Sequence, residues 1–158
     1  MDALELLRQM HVDAKETFRD LQQASPEQRG ALWAKLRPEI VVHEQIEERI
    51  IYGPAMKDLS ERDPRMADWD RRHRQMVEQA STLMQQLSRT DTSDPGFLDT
   101  IARLEQALLQ HIEEEETSAW PYLRQAWGQD KLERASGKVQ AARTMAAGGA
   151  TVSGTFGP

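Results

Sequence analysis

Four stretches of this chain place apolar residues at every third or fourth position, the spacing that lines one face of an α-helix. In the first stretch the stripe reads Leu4, Leu7, His11, Ala14, Phe18 and Leu21. In the second it reads Leu32, Leu36, Ile40, His43, Glu47 and Ile50. The third gives Met66, Trp69, His73, Met76, Ala80, Leu83 and Leu87, and the fourth Phe97, Ile101, Leu104, Leu108, His111, Glu115, Ser118 and Tyr122. Asp2 with Glu5, and Ser25 with Gln28, read as capping boxes, and Pro26 stands at a first helical position, where its missing N–H costs nothing. Helices are therefore expected at about 2–24 and 26–52, with Pro38 kinking the second and Gly53-Pro54 loosening its end. Asp63-Pro64 opens a third helix reaching about 88. The polar run from Arg89 to Gly96 leads into a fourth that ends near Trp127 and is kinked at Pro121. The expected fold is all-α, an antiparallel up-down-up-down four-helix bundle over residues 1–127.

Beyond the bundle, residues 128–147 carry a further amphipathic pattern, with Leu132, Val139 and Met145 available to lie on the bundle, and Lys131, Arg134, Lys138 and Arg143 make it basic. Residues 148–158 are rich in Gly, Thr and Ser and read as a flexible tail.

Composition narrows the class. The chain has 158 residues, 39% hydrophobic and 29% charged, enough to bury one real core. No apolar run approaches bilayer length, and the N-terminus has no basic segment followed by an apolar one, so a cytoplasmic protein without membrane association is expected. Cysteine is absent, which removes disulfides, thiolate ligands and cysteine nucleophiles. A net charge of -6 disfavours nucleic acid and anionic lipid as partners.

The histidines change the picture. All four, His11, His43, His73 and His111, fall on apolar stripes of separate helices, and two are followed four residues later by Glu47 and Glu115 on the same face. With about 1.5 Å of rise per residue, His73 and His111 lie at matching depths from the loop joining their helices, while His11 and His43 differ by roughly one turn. Four imidazoles and two carboxylates converging in an apolar layer are costly unless a cation neutralises and orders them. The set lacks sulfur and is too rich for one tetrahedral zinc, whereas imidazole with bridging carboxylate suits a pair of iron or manganese ions. The Glu-x-x-His pattern of ferritin-like oxidases does not occur; Asp70-Arg-Arg-His73 is the nearest match.

The ordered set His11, His43-Glu-Gln-Ile-Glu47, His73, His111-Ile-Glu-Glu-Glu115 resembles the hemerythrin-like (HHE cation-binding) family over about residues 1–127. That resemblance implies two iron ions in a non-haem centre bridged by carboxylates and an oxo or hydroxo group, with a small diatomic or peroxide ligand. Oxygen-carrying members have a fifth histidine where this chain has Val77, and take their last carboxylate at the position of Glu116. Helix geometry favours Glu115, because the fourth residue on stays within about 40° of His111 and the fifth swings about 140° away. Glu44 is a further carboxylate candidate, by similarity to iron-sensing relatives. Tyr52, nine residues after His43, reads as a packed tyrosine and reaches the site only if the helix is distorted. Met10, Met76 and Leu108 are expected to wall the site, and Trp120 and Tyr122 to pack beyond it, with a hydrogen-bonding or redox role open to Tyr122.

Two functional classes emerge: a binding, sensing or iron-holding module for oxygen or nitric oxide, and a small redox enzyme that decomposes peroxide or reduces oxygen with an unspecified redox partner. A third reading is a bundle holding one divalent ion on three histidines, as in thiol-dependent transferases.

Overall fold

The computed structural model describes residues 1–149, and no strand occurs among them. The chain forms α1 (Ala3–Gln23), α2 (Pro26–Ile46), a π-helical stretch (Glu47–Tyr52), α3 (Gly53–Leu59), α4 (Pro64–Ser88), α5 (Pro95–Glu114), a second π-helical stretch (Glu115–Ala119), α6 (Trp120–Trp127) and α7 (Gln129–Gly149). Four antiparallel arms result: α1, then α2 running through its π stretch into α3, then α4, then α5 running through its π stretch into α6. The all-α bundle with a C-terminal helix is as the apolar pattern predicts.

Local chemistry sets the boundaries. Asp2 and Glu5 close one capping box at 2.9 Å in both directions, and Ser25 with Gln28 closes the other. Asp63 and Asp94 cap α4 and α5, each helix opening on a proline. Asp2 does more than cap. Its buried carboxylate also accepts from Arg124 of α6 at 2.6 Å and Gln129 of α7 at 3.3 Å, tying the chain's start to its last two helices.

Two apolar clusters fill the bundle. One, including Leu4, Leu7, Ile51, Met66, Trp69 and Leu123, lies toward the chain's N-terminus, and the other, including Phe18, Leu36, Ala80, Leu83, Phe97 and Ile101, toward the α1–α2 and α4–α5 turns. Each arm's histidine falls in sequence between its buried contributions to the two clusters.

Four details differ from the sequence expectation. Pro38 sits in a stretch that stays α-helical throughout α2; the departures from α-geometry come later, ahead of Pro54 and Pro121. The buried face of α2 includes Trp33, Glu44 and Ile46 beside the expected stripe, because α7 packs on α1 and α2 and covers a second side of them. On α7 itself, Leu132 and Val139 are fully buried, but Met145 is 71% exposed and Ala146 takes the inward place. Leu132, Val139 and Ala146, with half-buried Ala135 and Ala142, make a seven-residue seam in which small side chains allow close approach to the bundle. Of the expected tail over 148–158, Gly148 and Gly149 belong to the end of α7, and residues 150–158 lie outside the described residues. No described helix is long and apolar enough to cross a membrane.

Candidate metal centre

Side chains from all four arms meet in a buried polar layer, and six of them make its core. His11 Nε2 lies 3.0 Å from His43 Nε2, and His73 Nδ1 lies 3.1 Å from His111 Nε2. Glu47 Oε1 approaches His43 Nε2 at 2.6 Å. Glu115 reaches both pairs, with one oxygen 3.4 Å from His11 Nε2 and the other 3.2 Å from His111 Nε2. All the predicted pairings of imidazole with imidazole are present, including His11 with His43, whose depths differ by about a turn when counted from their helix ends.

The donors sort into two overlapping groups. His11, His43, Glu47 and Glu115 form one, and Glu47, His73, His111 and Glu115 the other; within each, one donor atom per residue lies within 4.8 Å of the rest. Glu47 and Glu115 belong to both, and are 1% and 0% exposed.

Without a cation this arrangement leaves its chemistry unfinished. Two neutral imidazoles in such contact can share only one proton, and His43 Nδ1, His73 Nε2, Glu47 Oε2 and Glu115 Oε1 are buried with no hydrogen-bond partner. Burial, helped by the neighbouring His11, pulls the His43 imidazole down to about 3, and burial with His111 nearby pulls His73 to about 4. Both are therefore neutral at physiological pH, with lone pairs free to ligate. Burial, then the charge of Glu115, raises Glu47 well above the usual carboxylate range. Burial also works to raise Glu115, but its hydrogen bond with Glu47 and the adjacent His111 and His11 hold it well below that range. The two buried carboxyls are thus pushed in opposite directions, and a cation binding between the groups would favour the ionised form of both. Donor type, burial and orphaned atoms all fit a cation site.

The weaker candidates go to different places. Glu44, one residue along from His43, stays outside both groups; it is buried, and burial raises its carboxyl to about 8. Glu116 also stays outside, turned to the far nitrogen of His11 at 3.4 Å and to Arg8 Nε at 3.5 Å. It acts there as an outer carboxylate that can set which His11 nitrogen faces the site. Tyr52 is brought in. Its hydroxyl donates to Glu115 Oε2 at 2.8 Å and its ring stacks on His73 at 4.3 Å. Burial and the Glu115 carboxylate push this phenol well above its ordinary value, so it stays protonated and donating.

Tyr52 reaches the site because the helix is distorted. On a continuous α-helix, nine residues from His43 would turn it about 180° away. The π stretch Glu47–Tyr52 has wider turns, and each added residue sets the later side chains back by roughly 100°. Pro54 supplies the cause: it has no N–H to donate, and its ring crowds the carbonyl four residues back, which a wider turn relieves. The amide of Gly53 bonds the Glu48 carbonyl five residues earlier, and a Cβ at Gly53 would lie 2.8 Å from that oxygen, so only glycine fits. The second π stretch repeats the device ahead of Pro121, with the Trp120 amide bonding the Glu115 carbonyl. Trp120 also stands nine residues after a histidine, and it stacks on His11 at 5.0 Å and 7°. This contact is not foreseen from sequence; the signal is the shared nine-residue interval and a proline one or two residues after each aromatic. Tyr122, by contrast, packs against Trp69 away from the histidines. Met10, Met76 and Leu108 line an apolar cavity of about 330 Å³ that opens on His11, His43, Glu47 and His111.

The comparisons agree with this geometry. The profile of the hemerythrin HHE cation-binding domain matches residues 2–123. A search of curated proteins gives no match. The crystal structure of a hemerythrin HHE cation-binding domain-containing protein from Mycobacterium kansasii is similar at a TM-score of 0.73 and 29% identity, over 96% of this chain and 90% of that one. With its bundle, its four inward histidines and its shared carboxylates, the chain belongs to the hemerythrin HHE cation-binding family.

Proposed function

We propose that this protein holds two iron ions and binds or reacts with oxygen, peroxide or nitric oxide. The observation that carries the reading is the sharing of Glu47 and Glu115 by two four-donor groups, a layout suited to two ions joined by carboxylates rather than to one. His11 and His43 would serve one ion, His73 and His111 the other, with an oxo or hydroxo group completing the bridge. Such a pair supplies one- and two-electron redox chemistry and a position for a small ligand.

The chain's own residues shape that chemistry. Val77 leaves α4 without a second imidazole one turn beyond His73, so fewer protein donors surround that ion. The Tyr52 hydroxyl withdraws charge from Glu115, making the two shared carboxylates unequal donors. The apolar walls limit water and favour uncharged ligands. We place the protein in the cytoplasm, working with a separate electron donor.

Metal analysis together with absorption spectra of the anaerobically reduced protein, before and after oxygen, peroxide and nitric oxide, tests this. About two irons per chain and near-ultraviolet bands of an oxo-bridged ferric pair are expected. One zinc per chain, with no iron uptake under reducing conditions, would sink the proposal and favour the single-ion transferase reading.

A further inference from the structure

We propose that the cavity between α1, α2, α5 and α7 is a binding site for an uncharged organic molecule, apolar over most of its surface, whose hydroxyl group is received by Glu44. This goes beyond the metal chemistry and concerns a different ligand.

Size is the first argument. The cavity holds about 330 Å³. An apolar protein cavity of about 150 Å³ already accommodates benzene, and organic-ligand pockets start near 300 Å³. A diatomic or peroxide ligand has two heavy atoms and needs a small fraction of that space. The volume corresponds to a body of about two fused rings or a chain of similar bulk.

Lining is the second. Ala14, Phe18, Ile40, Met76, Leu108 and Ala146 supply a wall that is apolar over most of its area. The small Ala146 and Ala147 of α7 close one side, so α7 makes the space a pocket instead of an open groove.

Glu44 is the third and independent observation. It is only 9% exposed, it lines this cavity, and its Oε1 has no hydrogen-bond partner among the described residues. It belongs to neither metal group, so the metal reading leaves that oxygen unexplained. A buried carboxyl oxygen without a partner is costly, and its presence in a preformed apolar pocket points to a partner supplied from outside.

The chemistry of that partner is settled by comparing head groups. An anionic head would meet the Glu44 carboxyl, while an ammonium would have to shed its water in an apolar wall. A hydroxyl both donates and accepts, so it satisfies the carboxyl whether or not this carries a proton. The rim is mixed, with Lys15, Lys35 and Arg143 beside Asp13 and Glu39, and selects strongly for neither sign.

The test uses the full-length, iron-loaded chain in its oxidised, ferric state and three probes of one shape: 1-naphthol, naphthalene and 1-naphthoate. Calorimetric or dialysis titration should give one saturable site per chain, with naphthol bound about tenfold tighter than naphthalene and naphthoate weakest. Glu44→Leu should remove the tenfold preference and leave naphthalene affinity unchanged. Glu44→Gln, which keeps an acceptor of the same shape, should retain part of it and covers the case in which the leucine variant does not fold. Ala14→Phe should weaken both neutral probes by filling the pocket. Absence of saturable binding, equal affinity for naphthol and naphthalene, or a preference that survives in both Glu44 variants would overturn the proposal. So would a visible charge-transfer band growing with naphthol, which would assign the hydroxyl to iron instead of Glu44.

Discussion

At the scale of single residues, the site depends on side chains held in the protonation state that ligation requires. His43 and His73 are neutral because burial disfavours their charged forms, while burial and the neighbouring Glu115 raise Glu47 and the hydrogen-bonding groups around Glu115 hold it low. On the proposed di-iron reading, Val77 leaves open a position that a second imidazole of α4 could fill. In Val77→His, a ring one turn beyond His73 would lie about 40° round the helix and can point at the same ion. If the proposed iron and peroxide chemistry holds, the iron-loaded variant is expected to break down peroxide more slowly than the wild type and to hold an oxygen adduct longer; unchanged turnover would separate reactivity from the open position. The larger polar side chain in a half-buried position is expected to cost about 1–3 kcal/mol unless the metal compensates. Asp2 allows a cleaner pH test, far from the metal donors. Burial opposes its charge, but Arg124, the Glu5 amide and Gln129 together hold its carboxyl below the usual 3.8. Because the folded value is depressed, its contribution is fully present above about 4 and disappears as pH falls through the lower folded value. Asp2→Asn should therefore cost about 1 kcal/mol or more at neutral pH in urea melts, and the gap from the wild type should close toward pH 3.

At the scale of elements, the two π stretches decide which side chains the arms present. Each begins at a shared carboxylate, Glu47 or Glu115, and ends where an aromatic ring swings back to stack on a histidine of another arm. The halves of the chain thus repeat a plan, with Tyr52 and Trp120 in matching places, but only the tyrosine carries a hydroxyl to donate. Gly53→Ala tests how firmly the first stretch is set. The new methyl would sit 2.8 Å from the Glu48 carbonyl oxygen, so destabilisation of about 1–3 kcal/mol is expected. Loss of the Tyr52 contact should accompany it, read from the near-ultraviolet dichroism of the tyrosine. Gly30→Ala is the control: it lies inside α2, its nearest foreign atom would be 3.9 Å away, and it should gain about 0.5–1 kcal/mol. Equal effects of the two substitutions would remove the case for a glycine-dependent π turn. The arms and their caps were legible from periodicity, as were the proline positions. Which proline would widen its helix was not, because Pro38 remains within α-geometry while Pro54 and Pro121 come after π turns.

At the scale of the whole molecule, two apolar clusters provide folding energy and the buried donors between them oppose it. Donors with orphaned atoms are tolerated when a cation compensates them, so metal binding and folding are one coupled equilibrium. The metal-free protein should melt well below the loaded form, and the gap should grow with free metal concentration. Coincident thermal melts with and without a chelator would contradict this coupling. α7 contributes at the same scale: docked through Leu132, Val139 and Ala146, it buries second faces of α1 and α2 and walls the cavity beside the metal donors.

By itself the sequence determined the helices, the antiparallel bundle, and the six inward donors, because helical periodicity is local and a polar residue on an apolar stripe can be read without knowing its neighbours. His11, His43, Glu47, His73, His111 and Glu115 stand together as that pattern requires. Tertiary structure alone decided the roles of Tyr52, Trp120, Glu44 and Glu116. The first two depend on turns widened by an accumulated rotation that no single residue announces. The other two lie beside ligands in sequence, but about 100° round the helix per residue carried Glu44 to an apolar pocket and Glu116 to the outer nitrogen of His11. Spacing along the chain names the face a residue occupies; only packing against other arms says what that face meets.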